Sequence, residues 1–145
     1  MVAAASSFVP ADAPGVEALR AAVAGPDIAL AVLFGSRAEG RARPDSDWDV
    51  GIIASDSVDL DRLCATLESV VGGRVDVIDL RRADPVVCME VARHGVVLVD
   101  VDDNRWPAFV SLSLRRFEDS RKFRDLQRQV LDEFLAQRGY PRESR

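Results

Sequence analysis

Two carboxylates, Asp47 and Asp49, sit two residues apart in a segment rich in strand formers, and a Gly-Ser pair, Gly35-Ser36, stands at the end of the preceding apolar run. A strand repeats every two residues, so this spacing points both carboxylates to one face. Like charges held that close repel unless a cation lies between them. Carboxylate oxygens are hard ligands suited to Mg2+ or Mn2+, which keep part of their water shell and complete their coordination with substrate phosphates. Gly35 allows close approach of the backbone to a ligand. If Ser36 opens a helical turn, the N–H groups of that turn and the Ser36 hydroxyl form a small anion site. Phosphate and metal sites would then lie side by side.

A third acid belongs to the same pattern. Asp76 lies among apolar neighbours in the strand-like run Arg74 to Leu80, where a lone carboxylate is costly unless a metal or a donor compensates it. Asp79 is three residues further on and so points to the opposite face; a strand-end or turn role is expected for it. Trp48, between the paired acids, faces away from them into the core. Arg37, Arg41 and Arg43 decorate the connection from the Gly-Ser turn to the paired acids, and Arg37 is a candidate for phosphate.

The elements that must position these residues follow from periodicity and punctuation. Pro14 fits a first helical position, with Val16, Leu19, Ala22 and Val23 at helical spacing until Gly25-Pro26. A buried strand is expected over Ile28 to Phe34. Asp56 or Ser57 can cap a helix reaching about Val71, whose stripe is Leu60, Leu63, Cys64 and Leu67. After the Asp76 strand, Asp84-Pro85 opens a helix that runs through His94 and is closed by Gly95, and Val96 to Val99 is a short strand. Asp103 or Asn104 with Pro107 begins a long helical region, about 105–138, that is a candidate for contact with a partner. Residues 1–12 read as a loose tail and 13–145 as a single domain of α/β (α+β) class, a mixed sheet flanked by helices.

Composition narrows the function. A chain of 145 residues holds one real core but no substantial second domain for template or drug. A formal charge of -5 argues against nonspecific nucleic-acid binding and suits a basic protein partner instead. Cys64 and Cys88 carry no pairing cue and fit buried thiols in a reducing cytoplasm. His94 is the only histidine, so zinc clusters and histidine-based triads lack material; at a helix C-terminus it faces the helix dipole. No run approaches membrane-spanning length, and the N-terminus lacks the basic region of an export signal.

The Gly-Ser pair, the Ser-Asp-x-Asp run and Val75-Asp76-Val77-Ile78 together resemble the nucleotidyltransferase superfamily with a polymerase-beta-type core. More narrowly, the chain looks like the minimal nucleotidyltransferase (MNT) antitoxins that accompany HEPN-domain toxins. Val91 to Val99 and Phe117 to Leu126 are similar to that family's late strand and C-terminal helix. The resemblance implies a polymerase-beta-type fold with a long C-terminal helix, Mg2+ held by Asp47, Asp49 and Asp76, and ATP held by Gly35, Ser36 and Arg37. It also implies AMP transfer to a tyrosine of a cognate HEPN ribonuclease toxin. Two departures stand out: Glu39, where the family often has a basic residue, and Val99, where it often has Tyr. Two other readings compete: an antitoxin that neutralises by binding alone, with a vestigial nucleotide site, and a stand-alone transferase of a small hydroxylated metabolite or antibiotic. Homo-oligomerisation is left open.

Overall fold

The computed structural model describes residues 13–140, with the Ala13 side chain left aside, so the expected N-terminal tail 1–12 lies outside the described residues. Helix α1 (Ala13–Val23) is followed by β1 (Ile28–Phe34), β2 (Trp48–Ala54), α2 (Leu60–Val71), β3 (Val75–Asp79), α3 (Pro85–His94) and β4 (Val96–Asp100). Helices α4 (Arg105–Asp119) and α5 (Arg121–Gln137) complete the elements of the described residues. The four strands form one mixed sheet in the order β3-β2-β1-β4. β1 runs antiparallel to both neighbours, whereas β2 and β3 are parallel, a pairing that needs the α2 crossover between them.

β1 reads as an unbroken apolar run because it is central and covered on both faces. Ala31 and Leu33 enter one layer with Val16, Leu19 and Val23 of α1, Leu67 of α2, and Trp48, Val50 and Ile52 of β2. Leu30 and Val32 enter the other with Leu80, Cys88 and Val91, and with Phe109 of α4. The alternation of β2 follows the same logic: Trp48, Val50 and Ile52 are buried beneath α1 and α2, so Asp49, Gly51 and Ile53 project to the α3/α4 side. Trp48 is thus a core residue, as its position between two acids requires.

Several boundaries differ from the sequence expectation. Helix α2 is capped by Asp59, whose carboxylate accepts from the amides of Asp61 and Arg62, and not by Asp56 or Ser57. Asn104 stands at the N-cap of helix α4, but its side chain makes no cap bond. The capping carboxylate comes instead from the end of β4: Asp100 accepts from the amides of Arg105 (3.1 Å) and Trp106 (2.9 Å). The long C-terminal region is helical as expected but divides at Ser120. Cys88 is buried, whereas Cys64 is only half-buried, its thiol donating to the Val75 carbonyl at 2.9 Å. Both thiols are free, and burial pushes each of them up from the ordinary cysteine range. Gly95 closes α3 in extended backbone; it is small because an added Cβ would lie 2.4 Å from the Val91 carbonyl and 2.5 Å from Val32. Among the described residues, no helix is long and apolar enough to cross a membrane.

Candidate active site

The parallel pairing of β2 with β3 does what no spacing along the chain could show: it sets Asp49 directly beside Asp76 in register. Neighbouring strands are about 4.8 Å apart, so two carboxylates in register on one face share the same small volume of solvent. Asp47 lies just before β2, not within it, and reaches the group from its edge. Its carboxylate is 4.0 Å from the Arg74 guanidinium, and the strands are pinned there by the Trp48 amide donating to the Arg74 carbonyl at 2.9 Å. Asp79, at the far end of β3, takes the Arg81 amide at 3.0 Å and the Arg81 and Arg82 side chains, which is the strand-end role expected of it.

Electrostatics register the crowding. The Asp49 carboxyl is held above the ordinary range, first by its own burial and then by the charges of Asp76 and Asp47. An acid flanked by two others and partly withdrawn from water is a poor place for negative charge in the absence of a cation. Among the described residues, no three such side chains converge tightly enough to cage a metal by themselves. The donor set nevertheless has the chemistry of a divalent-cation site: three hard carboxylates, open to solvent on the Asp76 side, of the kind that leaves positions for water and phosphate.

The Gly-Ser turn closes over this group from β1. Phe34 pairs with Asp49, so Gly35 sits immediately against the Asp49 carboxylate, and a Cβ on it would lie 2.2 Å from Asp49 Oδ2. With φ at +76°, Gly35 also occupies backbone space that L side chains disfavour. Beyond it the chain makes one closed turn: the amides of Ala38 and Glu39 donate to the Gly35 carbonyl, at 3.1 and 3.2 Å, and the Arg41 amide to that of Ser36. Ser36 therefore lies in a tight turn, though not a regular helix, one residue beyond the glycine that meets Asp49.

Arg37, the candidate for phosphate, is held by the loop that leads to Asp47. Its guanidinium donates to the Ser46 carbonyl (2.8 Å) and the Pro44 carbonyl (3.2 Å), and lies 4.3 Å from the centre of the Trp48 ring. It ties the loop carrying Asp47 to the core tryptophan. Two features escaped the sequence reading. One is Arg74, whose proximity to Asp47 follows from a strand pairing that local pattern does not encode. The other is an open cleft beside the turn, lined by Glu39, Arg41, Arg93 and His94. There Glu39 pairs with Arg41 (2.6 Å) and approaches His94 (3.8 Å), so the negative charge expected near a nucleotide is partly neutralised within the chain.

Comparison with known proteins agrees with this geometry. Over 73 residues the chain is 37% identical to the protein adenylyltransferase MntA of Shewanella oneidensis, a match spanning 48% of this chain and about half (52%) of that one. A solved structure of a toxin-antitoxin with AMP-PNP superposes with a TM-score of 0.65 at 26% identity, covering 80% of this chain and 94% of that one. A structure of a tri-AMPylated Shewanella oneidensis HEPN toxin in complex with an MNT antitoxin shares the fold, with a TM-score of 0.59 at 24% identity, covering 80% and 92%. The polymerase beta nucleotidyltransferase model matches residues 19–104, which takes in the Gly-Ser turn, all three acids and the whole sheet, and the chain belongs to that family.

Proposed function

We propose that this chain is a Mg2+-dependent nucleotidyltransferase and an antitoxin, one that moves AMP from ATP to a tyrosine of a cognate HEPN ribonuclease toxin, within a single domain of residues 13–145. The observation that carries the reading is the in-register pair Asp49 and Asp76, flanked by Asp47 and roofed by Gly35. The likeness to an MntA adenylyltransferase, to a toxin-antitoxin with AMP-PNP and to an AMPylated HEPN toxin complex supports the donor and acceptor classes.

Asp47, Asp49 and Asp76 would hold the divalent cation, which when bound neutralises the triphosphate and polarises the alpha phosphorus. Ser36 and the turn behind Gly35 receive the beta and gamma phosphates, next to the acids. Asp76 is the most exposed of the three and faces the side from which an acceptor arrives; it orients the acceptor hydroxyl and takes its proton. The acceptor oxygen bonds to the alpha phosphorus as the bond from that phosphorus to the bridging oxygen breaks, and pyrophosphate leaves. Asp49, the least hydrated acid, gains most from a cation, because its ionisation is opposed by burial and by both neighbours.

The test is incubation of this protein and a cognate HEPN protein with ATP labelled in either the alpha or the gamma phosphate. Label retained on the HEPN protein from the alpha position only is expected. Neutralisation of the toxin with no label transferred would replace this reading with one of binding alone. Label on a small hydroxylated compound in the absence of any protein partner would favour a stand-alone transferase.

A further inference from the structure

Helix α5 has no buried residue, yet it carries a row of large apolar side chains: Phe123, Leu126, Val130, Leu131 and Phe134, from 49% to 62% exposed. A helix of this length, about 25 Å, is marginal alone in water and is normally held by packing of its apolar face. The Phe123–Phe134 segment, FRDLQRQVLDEF, also has a symmetry that own-domain packing does not call for. Read from either end it places Phe, then Leu three residues in, then Leu and Phe again: Phe123 mirrors Phe134 and Leu126 mirrors Leu131. The mirror is imperfect inside that frame: Gln127 stands opposite Val130, and Asp125 opposite Asp132.

A surface that reads the same in both directions is what a two-fold interface requires, since each residue i meeting j on one copy must find j meeting i on the other. We propose that α5 is a homodimer interface in which two copies of this chain pack their α5 helices antiparallel, Phe123 against Phe134 and Leu126 against Leu131. Charge specifies the orientation. The first half of the helix carries Arg121, Lys122, Arg124 and Arg128 against Asp125 alone, whereas the second half carries Asp132 and Glu133. That order opposes the helix's own dipole, which favours acids at the N-terminus and bases at the C-terminus. In an antiparallel pair the basic half of each helix lies along the acidic half of the other, with Arg124 opposite Glu133, and the net basic charge of one half is set against the net acidic charge of the other. A parallel pair would set base on base.

The size is adequate. Five half-exposed side chains offer roughly 500 Å² of apolar surface per copy, and the stems of the flanking arginines extend it toward the roughly 800 Å² per partner of a stable interface. This inference does not depend on the transfer reaction, since α5 contributes none of the acids.

The experiment is sedimentation velocity on the whole chain at about 100 µM, above the micromolar range of modest interfaces, alongside oxidation of paired cysteine variants. The wild type is expected to be a dimer, and Val130→Asp a monomer with an unchanged circular dichroism spectrum. A mixture of Phe123→Cys and Phe134→Cys should form an interchain disulfide that neither variant forms by itself. A monomeric wild type, or a dimer indifferent to Val130→Asp, would overturn the proposal. Crosslinking of Phe123→Cys to itself would overturn the antiparallel arrangement. A wild type that is monomeric alone but binds a HEPN protein through α5, with Val130→Asp abolishing that complex, would reassign the surface to the toxin.

Discussion

The acid-bearing ends of β2 and β3 and the helix α5 are opposite solutions to placing a side chain. Asp49 is fixed by everything beneath it: Trp48 and Val50 on either side are buried, Gly35 closes over its carboxylate, and Asp76 is set opposite by the strand pairing. Among the described residues no core cluster includes α5, and five of its large apolar side chains are about half exposed. On the proposed function, the site that holds reacting atoms is built on backbone fixed by strand pairing and by a buried core, at a cost in electrostatic stability. A surface that meets another molecule can be left incomplete until that molecule arrives.

Substitutions can break this contrast at either end. The largest effect is expected at the acids: Asp49→Asn or Asp76→Asn should lower the rate of AMP transfer on the order of a thousandfold, the several kcal/mol that positioned charge neutralisation contributes, with the fold intact by circular dichroism. Transfer at the wild-type rate in either variant would remove the acids from the reaction. In the core that supports them, Leu19→Ala or Leu33→Ala should destabilise by about 2–5 kcal/mol in denaturant unfolding, because both side chains are fully buried and leave a cavity. A loss under 1 kcal/mol would mean that this core is looser than its packing implies.

Glycine separates strain from contact. Gly35→Ala and Gly72→Ala both force a side chain into left-handed backbone, costing about 1–2 kcal/mol each, but only at Gly35 does the new Cβ meet the Asp49 carboxylate. Gly35→Ala should therefore lose transfer activity as well as stability, and Gly72→Ala stability alone. Equal activities in the two variants would show that the turn does not control Asp49.

A smaller effect concerns pH. The folded-state Asp49 carboxyl is raised above its ordinary value of 3.8 by burial and by Asp76 and Asp47. Its contribution to stability is therefore fully present below that value and is lost as the pH rises through the raised one. The metal-free protein should accordingly gain thermal stability in Asp49→Asn at neutral pH, with the difference vanishing on acidification. A destabilised Asp49→Asn at pH 7 would mean that the carboxylate serves the fold and not the site. Smallest of all, Phe123→Ser at a dilution that keeps the chain monomeric should change stability by less than about 0.5 kcal/mol, since the ring touches no core.

Much of this was legible in the residues, for reasons that differ by element. β1 was readable because burial on both faces leaves no polar position in it, and the α3 start because Asp84 and Pro85 are cap and first-turn residues in sequence. Three acids and a Gly-Ser turn are grouped by residue type and strand period and then by resemblance to a family, but their adjacency was not legible, because the register of β2 on β3 is a tertiary fact: Asp49 and Asp76 are 27 residues apart in number and adjacent in space. The division at Ser120 left no local sign. Its backbone stays close to helical, at φ -82° and ψ -4°, with neither Gly nor Pro to mark it, and the apolar spacing continues on both sides. The α2 cap was misplaced because Asp56, Ser57 and Asp59 are all competent caps, and only the carboxylate that reaches the Asp61 and Arg62 amides decides. Arg37 reads as a candidate for phosphate from its place after the Gly-Ser pair; that three loop carbonyls and the Trp48 ring hold its guanidinium is a tertiary fact that the spacing does not carry.

The central claim, that the in-register acids carry out nucleotidyl transfer to a HEPN protein, is tested most directly by intact mass spectrometry of that protein. It would be incubated with ATP, Mg2+ and either the wild-type chain or Asp76→Asn. The account predicts AMP-sized mass additions with the wild type and none with Asp76→Asn. An unmodified HEPN protein that the wild type nonetheless inactivates, or equal modification by both chains, would contradict it.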